Sequence, residues 1–399
     1  MQNKLLIAGL VLATLTIGAD EYVLGPLLTP IGDDFDVEPT RVAWMVSTFA
    51  LPYALLAPIF GALADRVGRK CVMITRLVVF AAATAGTALA STFAFGLTTR
   101  VLTGAAAAAV MPNIFACIGD VVAPDQQPQA MGRVQLGLTL GLILSPVVGA
   151  WMSEVFGWRA AFWLIACIAL IAVLVLYRLL PGRSLTADAH IVKRTTTWVD
   201  TISSPGALIA IITMTLGLGI AVGTYALMGE MLRSRYGIGT ATVGIIMAFL
   251  GLSTIIGNAL VAPAFRLFGT PPRVILAGMV GTVTGIATIT LVDALPLPLF
   301  VMASVVWLIS GGCAAPSLQS YMATIGGENR GFLLAIGSSG LNIGIMLMTA
   351  IEGWFFSAYG RTLVGLVAVA SIGLSVLLLA RHQSLNDRPP VEDATENSV

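Results

Sequence analysis

Charged residues, histidine and paired cysteine are what this sequence has least of. Only 10% of its 399 residues are charged and the formal net charge is +1, which gives no signal for a nucleic acid or another polyanion as a partner. The four cysteines, Cys71, Cys117, Cys167 and Cys313, stand singly inside apolar runs without CxxC spacing, so we interpret them as small core residues. The two histidines have no acid or cysteine at ligand spacing. The sequence therefore predicts no metal site, no cofactor and no nucleic-acid partner.

Motifs of catalysis and of nucleotide binding are also absent. The sequence contains no nucleophile elbow, no P-loop and no histidine within an apolar run, and a membrane-embedded enzyme would need such a constellation. We therefore do not expect an enzyme. Without a nucleotide-binding motif, any work that the protein performs must come from a gradient rather than from ATP.

Apolar residues make up 57% of the chain and the mean hydropathy is +0.93, which is more than a soluble fold buries. Twelve apolar runs are each close to or above the roughly 20 residues that cross about 30 Å of hydrocarbon. Since they lack period-2 alternation and have twice the length of barrel strands, we predict an all-α integral membrane protein with twelve transmembrane helices. The runs are 5–29, 41–64, 71–91, 97–119, 131–155, 159–180, 204–231, 240–267, 274–292, 295–324, 331–356 and 361–380.

The basic residues predict the orientation of these helices. With both termini in the cytoplasm, fifteen Lys and Arg residues fall on the cytoplasmic side and five outside, as the positive-inside rule requires. The first run lacks a cleavage site before a polar mature domain, so we interpret it as an uncleaved span. We expect a multi-pass protein of the cell inner (plasma) membrane, embedded in the lipid bilayer, with both termini cytoplasmic.

A long polar stretch in the middle of the chain divides the apolar runs into six and six. Such a stretch is a natural linker between two halves. We predict an N-terminal six-helix bundle at 1–181, a cytoplasmic linker at 182–202, a C-terminal six-helix bundle at 203–381 and a polar C-terminal tail at 382–399.

The two halves share a weak internal repeat. A shift of 200 residues superimposes like residues in the second run of each half, and a shift of 203 does so in the fifth. The matched pairs include Arg66 with Arg266, Gly137 with Gly340, and Gly141 with Gly344. Two pseudo-symmetric parallel repeats, with a substrate site between them near mid-depth, are a known transporter plan.

The segment 61–70 is a short cationic turn between the second and third runs. Its glycines permit a sharp turn, Asp65 suits helix N-terminal amides, and Arg69 has an acid, Asp120, to pair with at the inner end of the fourth run. We expect a latch that favours one gating state; the alternative is that the bases only set topology. The residues of this latch are Gly61, Asp65, Arg66, Gly68, Arg69, Lys70 and Asp120.

The fifth run carries a small residue at every fourth position. Gly137, Gly141, Ser145 and Gly149 therefore share one helix face, which lets another helix pack at backbone distance. Pro146 removes one internal hydrogen bond and is expected to bend this helix, in this half only. Close packing without a functional bend is the alternative.

Two adjacent acids lie inside the first run, where an ionised carboxylate costs several kcal/mol unless it is paired or protonated. Glu21 shares its helix stripe with small and polar residues such as Thr14 and Gly18, whereas Asp20 shares its stripe with apolar residues such as Leu24. We therefore expect Glu21 to be the proton carrier, with Asp20 as second choice.

Arg100, inside the fourth run, is the natural counter-charge for these acids. Competition between proton and substrate for the acid–arginine cluster would couple their movements; a static salt bridge between two helices is the alternative. Glu352, towards the outer end of the eleventh run, is a candidate second proton site.

Other intramembrane polar and aromatic residues are candidates for the wall of a substrate cavity. Hydrogen bonding to neighbouring helices, or packing, is an open alternative for each. The candidates are Tyr22, Tyr53, Asn113, Tyr225, Met228, Phe249, Asn258, Gln319, Tyr321 and Asn342, and Gln135 is a further polar group at similar depth.

Four segments together resemble the major facilitator superfamily, and within it the twelve-span drug:proton antiporter and sugar-efflux branch. They are the loop 61–70, the fourth-span segment 97–104 around Arg100, the fifth-span segment 141–150, and the first-span segment 19–25 in which an acid precedes an aromatic residue. The resemblance covers the chain up to about Arg381. It departs at Thr103, where glutamine is commoner, and at Ser145 and Ala150, which replace two glycines.

The resemblance implies a major facilitator fold and a monomer whose partners are protons and a small molecule. It implies a proton-coupled antiporter that exports a drug-like or other amphipathic or polar solute by alternating access. A proton symporter or facilitator of a sugar, nucleoside or metabolite on the same scaffold is the alternative.

Overall fold

The computed structural model describes residues 2–67, 69–122, 127–180 and 203–386, and these ranges are almost entirely helical, without a β-strand. The predicted linker at 182–202 lies outside them, as do Gly68 and the tail beyond 386. The side chains of 61–67, Arg69 and Asp120 also lie outside the described part of the structure, so the predicted latch between Arg69 and Asp120 stays a prediction.

Every predicted apolar run coincides with a helix, and we number the spans in chain order. Eleven helices in the described ranges are long and apolar enough to cross a membrane, and Trp44–Val67, with 24 residues, occupies the place of the remaining predicted span. Spans 1 to 6 are Gln2–Tyr22 with Leu24–Phe35, Trp44–Val67, Arg69–Ala88, Phe93–Val121, Gln127–Phe156 and Arg159–Leu179. The short helix Pro39–Val42 joins the first two.

The second half repeats this order. Spans 8 to 10 are Thr240–Ala259 followed by Val261–Phe268, Pro271–Leu291 and Leu297–Gly326. Spans 11 and 12 are the parts Phe332–Glu352 and Tyr359–Ser384 of one long helix, Arg330–Asn386, separated where Gly360 adopts a positive φ of 68°. Span 7 consists of Pro205–Ile212, a π-helical segment Thr213–Gly219, Ile220–Ala226 and Met228–Tyr236.

Span 1 is interrupted just after its two acids. The first helix ends at Tyr22 and the second begins at Leu24. Pro26 has no N–H to donate to the carbonyl of Tyr22 four residues earlier, so the helical ladder is broken at that point. Span 7 has a similar break, because Leu227, with φ −87° and ψ 1°, separates two of its helices. The helices of spans 1 and 7 are therefore both interrupted at a similar depth in the bundle.

The same glycine packing recurs in both halves. A Cβ added to Gly141 of span 5 would lie 2.5 Å from the amide nitrogen of Ala19, and one added to Gly344 of span 11 would lie 2.8 Å from the Cα of Gly219. Only glycine permits these contacts, in which span 5 packs on span 1 and span 11 on span 7 at backbone distance. The predicted pseudo-symmetry of the halves is thus visible in their packing.

An arginine at the start of span 6 and another near the start of span 12 also have matching roles. The guanidinium of Arg159 donates to the carbonyl oxygen of Ala90 at 2.9 Å and pairs with Asp34 at 2.8 Å. Arg361 pairs in the same way with Asp293, at 2.6 Å. Each arginine therefore ties the start of its span to the loop between the third and fourth helices of its own half.

The two halves meet mainly along two pairs of helices, and spans 1 and 7 also contact each other. Span 2 packs against span 11, and span 5 packs against span 8. We refer to the end of the bundle where span 1 begins and span 12 ends as the terminal face, and to the opposite end as the far face.

We expect Gly141→Ala to destabilise the protein, because the new Cβ would meet backbone atoms of span 1 that cannot yield, at a cost of about 1–3 kcal/mol. The thermal unfolding temperature in detergent measures this. The matched control is Gly132→Ala in the same helix, where a Cβ meets nothing within 4 Å. Equal unfolding temperatures for the two variants would contradict the packing described here.

Candidate functional site

A cavity of about 340 Å³ lies between the two halves. None of the described residues that line it is charged. Its wall is mostly apolar, with polar groups from spans 5, 8 and 10 and aromatic rings from spans 1, 7 and 10. The polar lining residues are Gln135, Thr139, Thr254, Asn258 and Gln319, and the aromatic ones are Tyr22, Tyr225 and Trp307.

The cavity extends from the middle of the bundle towards the terminal face. Gln135 is near the beginning of span 5, Asn258 is one residue before the end of the first helix of span 8, and Gln319 is near the end of span 10. Because span 5 runs away from the terminal face while spans 8 and 10 run towards it, these three side chains lie in the terminal half of the bundle.

Contacts between the halves close the cavity on the far side. The hydroxyls of Ser47 and Thr349 hydrogen-bond at 2.6 Å, and the rings of Trp44 and Trp354 stack with centroids 6.1 Å apart. Further hydrogen bonds run from Thr29 Oγ1 to Glu230 Oε2 (2.9 Å), from the Ala241 amide to Glu154 Oε1 (2.7 Å) and from Arg233 Nη2 to the Pro26 carbonyl (3.3 Å). All involve residues near the far ends of their spans.

The fifth-span segment contributes to this closure. The helix Gln127–Phe156 continues without interruption through Pro146. A Cβ added to Gly244 of span 8 would lie 2.7 Å from the Pro146 carbonyl oxygen, while Gly149 packs on Val23 of span 1. Ser145 is buried. Gly137 and Gly141 pack on span 1, and the part of span 5 from Ser145 to Gly149 lies near the meeting point of spans 1, 5 and 8, on the far side of the cavity.

Arg100 pairs with Asp20 rather than with Glu21. Arg100 Nη1 lies 2.5 Å from Asp20 Oδ2, and the two side chains are 1% and 0% exposed. The guanidinium also donates from Nε to the Met45 carbonyl at 3.3 Å and lies 4.8 Å from the centre of the Phe49 ring. This buried ion pair joins span 1 to spans 2 and 4.

Glu21 lies in a second, smaller cavity of about 20 Å³. Its side chain is partly exposed, and its carboxyl has no ion pair or hydrogen bond to any other described residue. Tyr22, Val222 and Tyr225 line both this small cavity and the large one. Glu21 therefore lies directly behind one wall of the central cavity.

Glu352 is an acid without a partner. Its side chain is 0% exposed, and neither carboxyl oxygen has a hydrogen-bond partner among the described residues. It lies between Thr349, which bonds to Ser47 of span 2, and Trp354, which stacks on Trp44 of span 2, on the far side.

Four of the ten cavity candidates line the wall: Tyr22, Tyr225, Asn258 and Gln319. The other six do not line it. Phe249 is 53% exposed, Met228 is fully buried, and Tyr53 and Tyr321 are partly buried elsewhere. The amide groups of Asn113 and Asn342 donate to the carbonyls of Ala109 and Ser338 in their own helices, at 2.5 and 3.1 Å.

Three wall residues, Thr139, Thr254 and Trp307, were not among the candidates. A usable signal was present, because Gln135 and Thr139, and likewise Thr254 and Asn258, are polar residues four positions apart within apolar runs. Such spacing places both members on one helix face.

Lys70 is the member of the cationic turn whose side chain is described. Its ammonium group donates to the Leu180 carbonyl at 2.6 Å and lies 5.4 Å from the centre of the Tyr177 ring. It thus holds the start of span 3 against the end of span 6, since a cation near helix C-terminal carbonyls is favourable.

Known proteins share both the sequence and this architecture. The MFS-type transporter YceJ of Bacillus subtilis (strain 168), described as uncharacterized, is 26% identical over 93% of each chain. Multidrug resistance protein 1 of the same strain is 24% identical over 88% of this chain and 89% of its own.

Solved structures show the same fold. A D-xylose-proton symporter superimposes with a TM-score of 0.80 at 13% identity, covering 95% of this chain and 97% of its own. The nucleoside transporter NupG superimposes with a TM-score of 0.71 at 14% identity, covering 97% and 100%. At such identities the likeness concerns the fold alone.

The family model of the Major Facilitator Superfamily matches residues 10–265 and 209–398, which together span nearly the whole chain. With two packed halves, a cavity between them and relatives that are transporters, this chain belongs to the Major Facilitator Superfamily.

Proposed function

We propose that this protein is a proton-coupled antiporter that exports a small amphipathic organic compound by alternating access. The observation that carries the proposal is the position of Glu21, an acid without an ion pair, directly behind the wall of an otherwise uncharged cavity. A lone carboxylate in such surroundings costs several kcal/mol, so its charge state depends on what occupies the neighbouring space.

The lining of the cavity supports a neutral or cationic substrate. No basic side chain lines it in the part of the chain that the structure describes, so an anion would enter a site of low dielectric without a counter-charge there. A cation would gain from the Glu21 carboxylate and from the faces of Tyr22, Tyr225 and Trp307. The polar groups of Gln135, Asn258 and Gln319 add hydrogen bonds that orient a polar end.

The movements of proton and substrate are coupled because the two compete for Glu21. When the cavity faces the cytoplasm, an entering substrate displaces the Glu21 proton, and the resulting carboxylate favours a cationic or polar substrate. When it faces outward, where protons are more abundant, protonation removes that charge and releases the substrate. We assign the proton to Glu21 because Asp20 is already held in place by its buried pair with Arg100.

Glu352 is the proposed second proton site. Since it is fully buried without a hydrogen-bond or ion-pair partner in the described residues, we infer that its carboxyl is neutral in this conformation. It lies within one helical turn of the Ser47–Thr349 and Trp44–Trp354 contacts, so its ionisation would favour a hydrated, opened far side.

We also propose how the protein is oriented in the membrane and which segments move during transport. The terminal face is cytoplasmic in the cell inner membrane, so the present conformation is inward-facing. The bundles 1–181 and 203–381 rock against each other about the cavity, and the cytoplasmic segment 182–202 links them. The excess of basic residues on the terminal side supports this orientation.

Symport or facilitated passage of a sugar, nucleoside or metabolite is the second candidate. The amide groups of Gln135, Asn258 and Gln319 in the wall favour it, because such groups hydrogen-bond to substrate hydroxyls. The direction of proton movement on substrate binding separates the two functions.

We expect the purified protein to release protons when a cationic drug or neutral antibiotic is added, because substrate displaces the Glu21 proton. Glu21→Gln should abolish the release, measured with a pH dye in weakly buffered detergent. Sugars and nucleosides complete the ligand panel. Glu38→Gln, which alters an exposed acid, should behave as the wild type. Full release from Glu21→Gln would contradict the assignment, whereas proton uptake on substrate addition would indicate symport.

We expect Asp20→Asn to destabilise the protein by about 3–5 kcal/mol, because it leaves the buried Arg100 unpaired. Removing both charges, in Asp20→Asn with Arg100→Met, should recover part of the lost unfolding temperature. If the single variant is as stable as the wild type, the pair does not fix these helices.

We expect Glu352→Gln, which mimics the neutral acid, to keep the far side closed at high pH, where the wild type opens. Maleimide labelling of Ser47→Cys between pH 6 and 9, in a background whose four native cysteines are replaced by serine, measures this opening. The expected result is labelling that increases with pH when Glu352 is present and stays low when it is replaced. Identical pH dependence in both would exclude Glu352 from the closure.

A further inference from the structure

The small cavity around Glu21 is separated from the large cavity by a thin wall. Its volume of about 20 Å³ is enough for about one water molecule and no substrate. Tyr22, Val222 and Tyr225 line both cavities, whereas Glu21 lines only the small one. A ligand confined to the large cavity therefore does not contact the Glu21 carboxyl while these side chains stay in place.

The two tyrosines meet edge to face in this wall. Their ring centroids are 6.4 Å apart with the planes at 71°. The Tyr225 hydroxyl donates to the Met247 carbonyl of span 8 at 3.1 Å, and its ring contacts Trp307 of span 10 at 6.2 Å. Tyr225 is thus held by the second half, while Tyr22 is the last residue before the break in span 1.

The wall joins the two helices that carry the proposed movement. Tyr22 belongs to span 1 and Tyr225 to span 7, so a change in their contact accompanies any change in how the halves meet. One edge-to-face contact and one hydrogen bond are weak enough for a bound ligand to replace them.

We propose that Tyr22 and Tyr225 form a partition that keeps Glu21 closed off from the central cavity until a substrate displaces the rings. The inference rests on the proposed role of Glu21 as proton carrier and adds what controls access to it. In the empty protein the partition holds the Glu21 proton. A substrate that moves either ring merges the two cavities and lets proton and substrate exchange at one carboxyl. The tyrosines are positioning residues in this scheme.

The test is the rate at which dicyclohexylcarbodiimide, which modifies protonated carboxyls, labels Glu21 in the substrate-free protein. Peptide mass spectrometry reads the label, and Glu21→Gln identifies the signal. We expect slow labelling in the wild type and roughly tenfold faster labelling in Tyr225→Ala, because loss of the ring merges the cavities. Tyr225→Phe keeps the ring but loses the bond to Met247, and should be intermediate.

The matched control is Tyr321→Ala, which removes a partly buried tyrosine that lines neither cavity. It should label at the wild-type rate. Tyr22→Ala removes the other half of the partition and should label as fast as Tyr225→Ala, so the proposal is decided even if one of the two variants does not fold. Equal labelling of Glu21 in the wild type and in the alanine variants would overturn it.

Proton flux through the protein tests the partition independently of the labelling rate. In liposomes with a pH gradient and no substrate, Tyr225→Ala should conduct protons and the wild type should not. If the alanine variants label fast while no ligand releases protons from the wild type, the partition stands and proton coupling fails. If Glu21-dependent release occurs but labelling does not depend on the tyrosines, coupling stands and the partition fails.

Discussion

The buried ion pair between Asp20 and Arg100 sets the geometry of the functional centre. An arginine inside a bilayer stays charged and must find a partner, and here it holds span 1 against spans 2 and 4 through Asp20, Met45 and Phe49. Asp20 is held in this pair. Glu21 follows it in sequence and lies about 100° further round the helix, so its side chain points away from the ion pair. Glu21 is thereby left beside the cavity without an ion-pair partner among the described residues.

Around this centre, the scaffold is made of contacts that stay within one half and contacts that cross between halves. The glycine contacts of span 5 with span 1 and of span 11 with span 7, and the Arg159 and Arg361 clamps, lie within a half. The contacts that cross on the far side include the packing of Gly244 on Pro146, the hydroxyl pair of Ser47 with Thr349 and the stacked rings of Trp44 and Trp354. Contacts that fix each half internally, together with a separate set that joins the halves on the far side, suit movement of rigid halves against each other.

The sequence was sufficient to predict the spans, because run length and apolarity alone decide what crosses a bilayer. It was also sufficient for the glycine repeat, since only close packing requires glycine at that spacing. It did not identify which acid meets Arg100, which depends on helix rotation and on the break after Tyr22. Nor did it show that Phe249 avoids the cavity and Trp307 lines it, because aromatic character does not tell which way a side chain points.

Tyr22 and Tyr225 are 203 positions apart, the same offset that relates the glycines of spans 5 and 11. Equivalent residues of two repeats contact each other only near the axis that relates the repeats, so the tyrosine pair marks the centre of the molecule. In a symmetric dimer of one ancestral half, this tyrosine would meet its own copy and neither ring would differ from the other. Here only the Tyr225 hydroxyl donates a hydrogen bond to the Met247 carbonyl. The loss of symmetry therefore fixes the Tyr225 ring and leaves the Tyr22 ring able to turn.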